Sequence, residues 1–255
     1  MSRFGIAFAL ASVVLVGSSS GALAQGLGQG PPMPLAVDLA KVPVGSYADY
    51  TMTVGAGMGS MKSRMALVAR TPAANILETS VEGGMLGPTG KMSVQMTIAP
   101  GTDATPTKMV TQIGAADPME IPPALSGKPF TKPNPKTLVG TETVKVPAGS
   151  FKAKHYRDKT PQGDKIDYWV TDSVLPLGLV KVEAEQPKST AQVKGKVMFE
   201  LAGMGKDAKQ VITKPPKPFD QAALMQQMMA LQGAAGAKPA AATPPPPPTA
   251  PPAKK

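Results

Sequence analysis

The chain has no cysteine, one histidine and one tryptophan, and aromatic residues make up only 4% of its 255 positions. Without cysteine there is no disulfide framework, thiol nucleophile, iron–sulfur cluster or thiolate zinc site. A single histidine, His155, excludes multi-histidine metal centres and catalytic arrangements that need two imidazoles. No G-x-S-x-G occurs, so the usual strand-to-helix presentation of a nucleophilic serine is missing. The longest apolar run, 4–16, falls short of the roughly 20 residues a membrane-spanning helix needs, so no transmembrane anchor is expected. No basic cluster interleaved with aromatics is visible, and nucleic acid is not expected as a partner.

Proline and glycine, by contrast, are plentiful at 29 and 26 residues, and part of the chain is therefore expected to stay outside any packed core. Residues 1–24 read as a signal peptide: Arg3 supplies the positive start, the apolar run follows, and Ala22-Leu23-Ala24 fits small-x-small cleavage. The expected location is periplasmic or secreted. Residues 25–40 begin QGLGQGPPMP and read as a Gly/Pro-rich tether. Residues 41–213 form the expected folded domain, long enough to bury a core without staples. Residues 214–232 read as a Pro-rich linker and a short amphipathic helix, and 233–255 as a disordered Pro/Ala-rich tail. The net charge of +10 is spread along the chain and suits a solubilising surface with mild attraction to anionic envelope material.

Alternation with period 2 dominates the domain. In KMSVQMTI, residues 91–98, every even position is apolar and every odd one polar. Ala48, Tyr50, Met52 and Val54 repeat the pattern, and 62–69, 75–81 and 107–113 follow more loosely. In the second half, x-Pro-x-Gly turns at 146–149, 160–163 and 175–178 separate further strands, with type I geometry expected. Consecutive strands at 150–157, 164–172, 179–185 and 191–201, after one ending at Val146, predict a five-strand meander. The fold class is all-β: an antiparallel meander of about nine to ten strands curled into a half-barrel, barrel or sandwich, with one short C-terminal helix. Residues 115–136, which carry six prolines, are expected to cross between sheet halves or lie over the mouth.

The segment 142–185 resembles a pattern of exported bacterial proteins of uncharacterised function: V-P-A-G-x-F, a W-containing strand, then P-x-G-L-V-K. The matching residues are Val146, Pro147, Ala148, Gly149, Phe151, Trp169, Pro176, Gly178, Leu179, Val180 and Lys181. Such families are similar to the open-barrel periplasmic lipoprotein carriers, which hold acyl chains between a curved sheet and a lid. The resemblance implies a fold and carries no catalytic residue.

Candidate chemistry is sparse. Register with Phe151 and Ala153 puts His155 on the expected inward face, with Ser150, Asp158 and Asp167 nearby in sequence, but no oxyanion-bearing loop accompanies them. No enzyme is expected, and no cofactor or metal is assigned. The aspartates at 158, 164, 167 and 172 match no calcium loop. Methionine stands out, with eight residues from Met52 to Met109, and its adaptability suits either a core or a pocket for flexible acyl chains. The residues expected to meet an apolar or amphiphilic ligand, a lipid or other envelope amphiphile, are Met52, Met65, Met92, Met96, Phe151, His155 and Trp169.

Two alternatives accompany that reading. One is a structural or interaction protein that docks a protein partner through its Pro-rich tail and Met-rich helix. The other is Cu(I) binding through Met58/Met61 and Met225/Met228, whose spacing suits a soft ion. Asp220 is the expected helix N-cap, ahead of an apolar stripe of Leu224, Met225, Met228, Met229 and Leu231. Trp169 alternates out of phase with Ile166, Tyr168 and Val170, so it is expected on the opposite face, covered by the helix, a ligand or a partner.

Overall fold

The computed structural model describes residues 33–54, 60–83, 86, 90–100, 105–122, 129–159, 165–185 and 196–236. The expected signal peptide, the first part of the expected tether, Met58, the expected turn at 160–163 and residues 237–255 lie outside the described residues.

Alternating sequence becomes strand wherever it was expected. β1 (Met33–Pro34) is followed by β2 (Tyr47–Val54), β3 (Ser60–Thr71), β4 (Ala74–Gly83), β5 (Lys91–Ile98) and β6 (Pro106–Ile113). Two short strands, β7 (Met119–Ile121) and β8 (Phe130–Thr131), occupy the proline-rich stretch. The second half comprises β9 (Leu138–Val146), β10 (Gly149–Lys159), β11 (Lys165–Val170), β12 (Leu179–Glu185) and β13 (Lys196–Gly205). Eleven of these form one antiparallel sheet in the order β7-β6-β5-β4-β3-β2-β13-β12-β11-β10-β9, and β1 and β8 pair in parallel by themselves. The β9–β13 meander is therefore present, and β2 joins it to the first meander by pairing with β13 from Val54↔Val197 to Tyr47↔Gly205.

Following the register across the sheet separates its two faces. One row runs Leu201, Tyr50, Ser63, Val81, Met92, Ile113. A second runs Tyr156, Tyr168, Val182, Phe199, Met52. This is the core face. Tyr50 is its centre: its ring stacks on Phe199 with centroids 4.4 Å apart, and its hydroxyl donates to the Leu179 carbonyl at 3.0 Å. Burial, reinforced by nearby Asp49, pushes the Tyr50 hydroxyl above the usual phenol range.

The sheet curls around this face without closing. Same-face residues of β4–β5 (Asn75, Ile98) and of β10–β11 (Lys154, Tyr156, Val170) line one cleft. In a flat sheet β5 and β10, with six strands between them, would stand roughly 34 Å apart at the usual spacing. Residues 33–42 run inside the curve, so the part of the expected tether from Met33 onward is packed core: Met33, Leu35 and Leu39 are all buried. Their backbone is tied down by Leu35 N–H to Thr131 O and Ala36 N–H to Leu177 O, both 2.8 Å. Arg70 adds bonds from Nη2 to the Leu39 and Val42 carbonyls at 2.5 and 2.6 Å. Gly178, with φ +80°, allows this packing, since a Cβ there would sit 2.9 Å from the Ala36 Cβ. The expected x-Pro-x-Gly turn at 175–178 bonds differently: the Gly178 N–H donates to the Val174 carbonyl at 2.6 Å, one residue earlier than that spelling predicts, and the Leu175–Pro176 peptide is cis.

The chain after β13 forms a strap over the opposite face. Glu78, 4% exposed, holds it: the carboxylate accepts the Val211 and Ile212 N–H groups at 2.9 and 3.1 Å. The strap then meets the sheet edge, where Lys217 donates its N–H to Pro118 O and accepts the Glu120 N–H. Beyond it, Asp220 caps helix α1 (Gln221–Gly236), its carboxylate accepting the Ala222 and Ala223 N–H groups at 2.9 and 3.0 Å. Residues 214–232, expected as linker and helix, are thus docked: Leu224 packs with Met92, Ile113 and Met119 on the core face. The expected stripe is only partly used, because Met229 is 59% exposed.

Replacing Glu78 by Ala removes the acceptor of two strap N–H groups. We expect a stability loss of about 2 kcal/mol, from charge-assisted bonds in a buried setting. Faster proteolysis between 206 and 217 should accompany it; unchanged cleavage would mean the strap is held by other contacts. Tyr50→Phe should cost about 1 kcal/mol in urea unfolding, by leaving the Leu179 carbonyl without its donor.

Candidate functional site

The seven expected ligand residues fall on opposite faces of the sheet. Met52, Met65, Met92 and Met96 all lie on the core face and are buried. Met52, Met65 and Met96 pack in the main cluster, Met92 in the smaller one under Leu224. Phe151, His155 and Trp169 lie on the other face, as the pairing His155↔Trp169 and the register of β9, β10 and β11 require. The inward placement expected for His155 is therefore corrected. Inward-facing residues of the first part of β10 are Lys152 and Lys154, not Phe151 and His155.

His155 sits in a polar cluster. Its Nε2 lies 2.7 Å from Asp167 Oδ1 and its Nδ1 3.2 Å from Glu142 Oε1. The Trp169 indole N–H donates to the same Glu142 at 2.6 Å, and the two rings stack with centroids 4.4 Å apart. Arg157 Nε donates to Asp167 at 2.8 Å. With both imidazole nitrogens against carboxylates, neither is presented to a substrate as a free base. Trp169, 9% exposed, is covered by its strand neighbours, with Lys181 Nζ 5.7 Å from the ring centroid. The helix packs on the opposite face and does not supply that cover.

Lys181 belongs to a ladder across β12 and β13. Its Nζ lies 2.9 Å from Glu183 and 3.1 Å from Glu200, and Lys196 also pairs with Glu183. Burial disfavours both charges, but the hydrogen bonds outweigh it, so the Glu183 pKa is lowered and the Lys181 pKa raised. The Met pairs with copper-like spacing stay incomplete, since Met58 and the Met228 side chain lie outside the described residues.

A cleft of about 720 Å³ opens on the core face, between residues 35–40 and the β9–β11 end of the sheet. Leu35, Leu39, Ile98, Tyr156 and Val170 form an apolar floor. Lys132, Lys152, Lys154 and Thr141 stand around it, with Asp38 and Asp172. None of the seven expected ligand residues is in this lining. The signal that would have found it was alternation within β10: Ser150, Lys152 and Lys154 interleave with Phe151, Ala153 and His155. Near the end of an open sheet the wet set can face inward.

No protein-family model matches the chain, and no curated protein matches it. Among solved structures, it is similar to a hypothetical protein of Chlamydia trachomatis at 15% identity and TM-score 0.38, covering 70% of this chain and 95% of that one. It is similar also to a presumed exported protein of Bacteroides fragilis with a YmcC-like fold, at 14% identity and TM-score 0.34, covering 69% and 100%. At these similarities neither neighbour says what this chain does. Among the described residues, no helix is long and apolar enough to cross a membrane.

Trp169 emission should be blue-shifted in the intact protein and unchanged by removing residues 221–255, since its cover comes from neighbouring strands of the sheet; a red shift on truncation would contradict this. The ion ladder sets a pH window. Glu183, with its pKa lowered from 4.5, contributes stability that is present above 4.5 and lost as pH falls through the folded value. Lys181, raised from 10.5, contributes stability present below 10.5 and lost as pH rises through its folded value. Glu183→Gln should lower the neutral-pH melting temperature and flatten the acid limb of the pH–stability curve.

Proposed function

We propose that this chain is a non-catalytic, exported envelope protein that binds an apolar or amphiphilic molecule in the cleft on its core face. The observation that carries the reading is the cleft itself: about 720 Å³, within the range of small-molecule sites, with an apolar floor ringed by charged and polar side chains. The floor is backed by residues 33–42, which are pinned by Arg70 and by Thr131 and Leu177 backbone groups. Such pinning favours a largely pre-formed site. The non-catalytic part rests on His155 lying on the opposite face with both ring nitrogens against carboxylates. Export rests on the leader-like residues 1–24.

Native mass spectrometry of protein purified without detergent should show adducts of lipid size, or take up a single-chain amphiphile on addition. Thr141 is exposed and lines the cleft from edge strand β9, so Thr141→Trp fills the space without touching the floor's packing. That variant should lose about tenfold in amphiphile affinity, while its melting temperature stays within a few degrees. Binding that survives Thr141→Trp unchanged would place the ligand elsewhere.

A further inference from the structure

The cleft's charged residues are asymmetrically satisfied. Lys132, Lys152 and Lys154 line it, and none of the three makes an ion pair among the described residues. Of the two aspartates, Asp38 is engaged, its carboxylate accepting the Ala40 N–H at 3.0 Å and lying 3.8 Å from Lys41 Nζ, while Asp172, like the lysines, makes no ion pair among the described residues, so the lysines outnumber the free carboxylate three to one. Elsewhere on the sheet, lysines on neighbouring strands meet carboxylates: Lys91 with Glu82, Lys108 with Glu120, Lys181 with Glu183 and Glu200. Not every sheet lysine does so: Lys62, Lys145, Lys159 and Lys165 also make no ion pair among the described residues, and what distinguishes the cleft lysines is that three of them gather around one cavity.

Their position is also set by register. Lys154 pairs directly with Val170, which is buried in the floor, and with Thr141 on the other side. Lys152 pairs with Thr143 one step further from the core. Two residues beyond Lys154, Tyr156 is buried and stacks on Tyr168 with centroids 5.3 Å apart. The inward face of β10 thus passes from cation to aromatic floor within four residues. A ligand lying along it meets positive charge at one end and apolar surface at the other.

We infer that the unpaired lysines Lys132, Lys152 and Lys154 form the headgroup site of this cleft, and that its ligand is an amphiphile with an anionic head, phosphate or carboxylate, and an alkyl part on the Leu35–Ile98–Val170 floor. The inference rests on the cleft binding an amphiphile at all, as proposed above. The lysine stems cover apolar surface while their ammonium groups stay wet, which suits a headgroup left at the mouth. Exposed charge pairs are individually weak and screened by salt, so selectivity for anions should be moderate and salt-dependent.

The test uses the full mature chain with three probes below their aggregation limits: dodecyl phosphate, dodecyl maltoside and inorganic phosphate, followed by calorimetry. Dodecyl phosphate should bind more tightly than dodecyl maltoside, and the Lys152→Glu/Lys154→Glu double variant should weaken it by about tenfold while leaving dodecyl maltoside unchanged. Both lysines are exposed, so the variant should fold, which circular dichroism and the melting temperature check. Raising sodium chloride from 0.05 to about 0.5 M should erase most of the difference between the two dodecyl probes. If both bind equally and the double variant alters neither, the headgroup assignment is overturned while the cleft reading survives. If neither dodecyl probe binds, the cleft reading itself fails, and the assignment with it. If inorganic phosphate binds as tightly as dodecyl phosphate, the site takes a free anion and the amphiphile is overturned.

Discussion

The pairing of β2 with β13 is the constraint on which the rest depends. These strands lie about 150 residues apart in sequence, and their register converts two meanders into one eleven-stranded sheet. Tyr50 is the residue that this pairing buries most consequentially. Opposite Leu201, stacked on Phe199 and bonded to the Leu179 carbonyl, it ties β2, β13 and the start of β12 together. Because a long loop must close before these contacts form, the sheet is of high contact order and folding should be slow relative to helical domains of this size. The tip of the β9–β10 hairpin reinforces the join, since the Ala148 N–H donates to the Leu201 carbonyl at 3.1 Å.

The strands themselves were legible because successive residues alternate between more and less buried faces: β2, β5 and the β9–β13 meander are where alternation put them. What alternation does not encode is how the sheet's ends are finished. The strap carries little periodicity, and nothing local marks Glu78 as the residue that anchors it, since that carboxylate reads as an ordinary wet-face position. Residues 33–40 read as tether because Pro34 and the Gly/Pro-rich sequence before it hide three buried apolar side chains, Met33, Leu35 and Leu39. The helix N-cap at Asp220 was readable from one residue type at one position; its docking partner was not.

The candidate site was misread for a physical reason. Apolar side chains usually mark the inward face, and in β10 the more apolar set is Phe151, Ala153 and His155. That set faces the other way, where Trp169 stacks on His155 and the pair is held by Glu142 and Asp167. A register slip between His155 and Tyr156 in the β9–β10 pairing leaves Val139 unpaired, next to the point where two successive residues of β10 are both buried, on opposite faces. A strict count of two breaks there. Trp169 itself was placed on the correct face, because β11 pairs regularly with β10 from Lys165 to Val170.

The division of labour between the two ends of the sheet follows from how each is filled. At the β5–β7 end, methionines and the Leu224 side chain leave the core face closed, as expected of an adaptable filler that meets whatever neighbour is presented. At the β9–β11 end no α-helix among the described residues lies over the same face, and residues 35–40 leave a cleft beside β10. An open sheet end of this kind must either be hydrated or be occupied. Exposed lysines and threonines on β9 and β10 face the cleft, with the buried Tyr156, Val170 and Ile98 beneath them. In the proposed reading, a soluble empty state and an amphiphile-bound one draw on the same residues, with the cations at the mouth and the buried side chains one layer below.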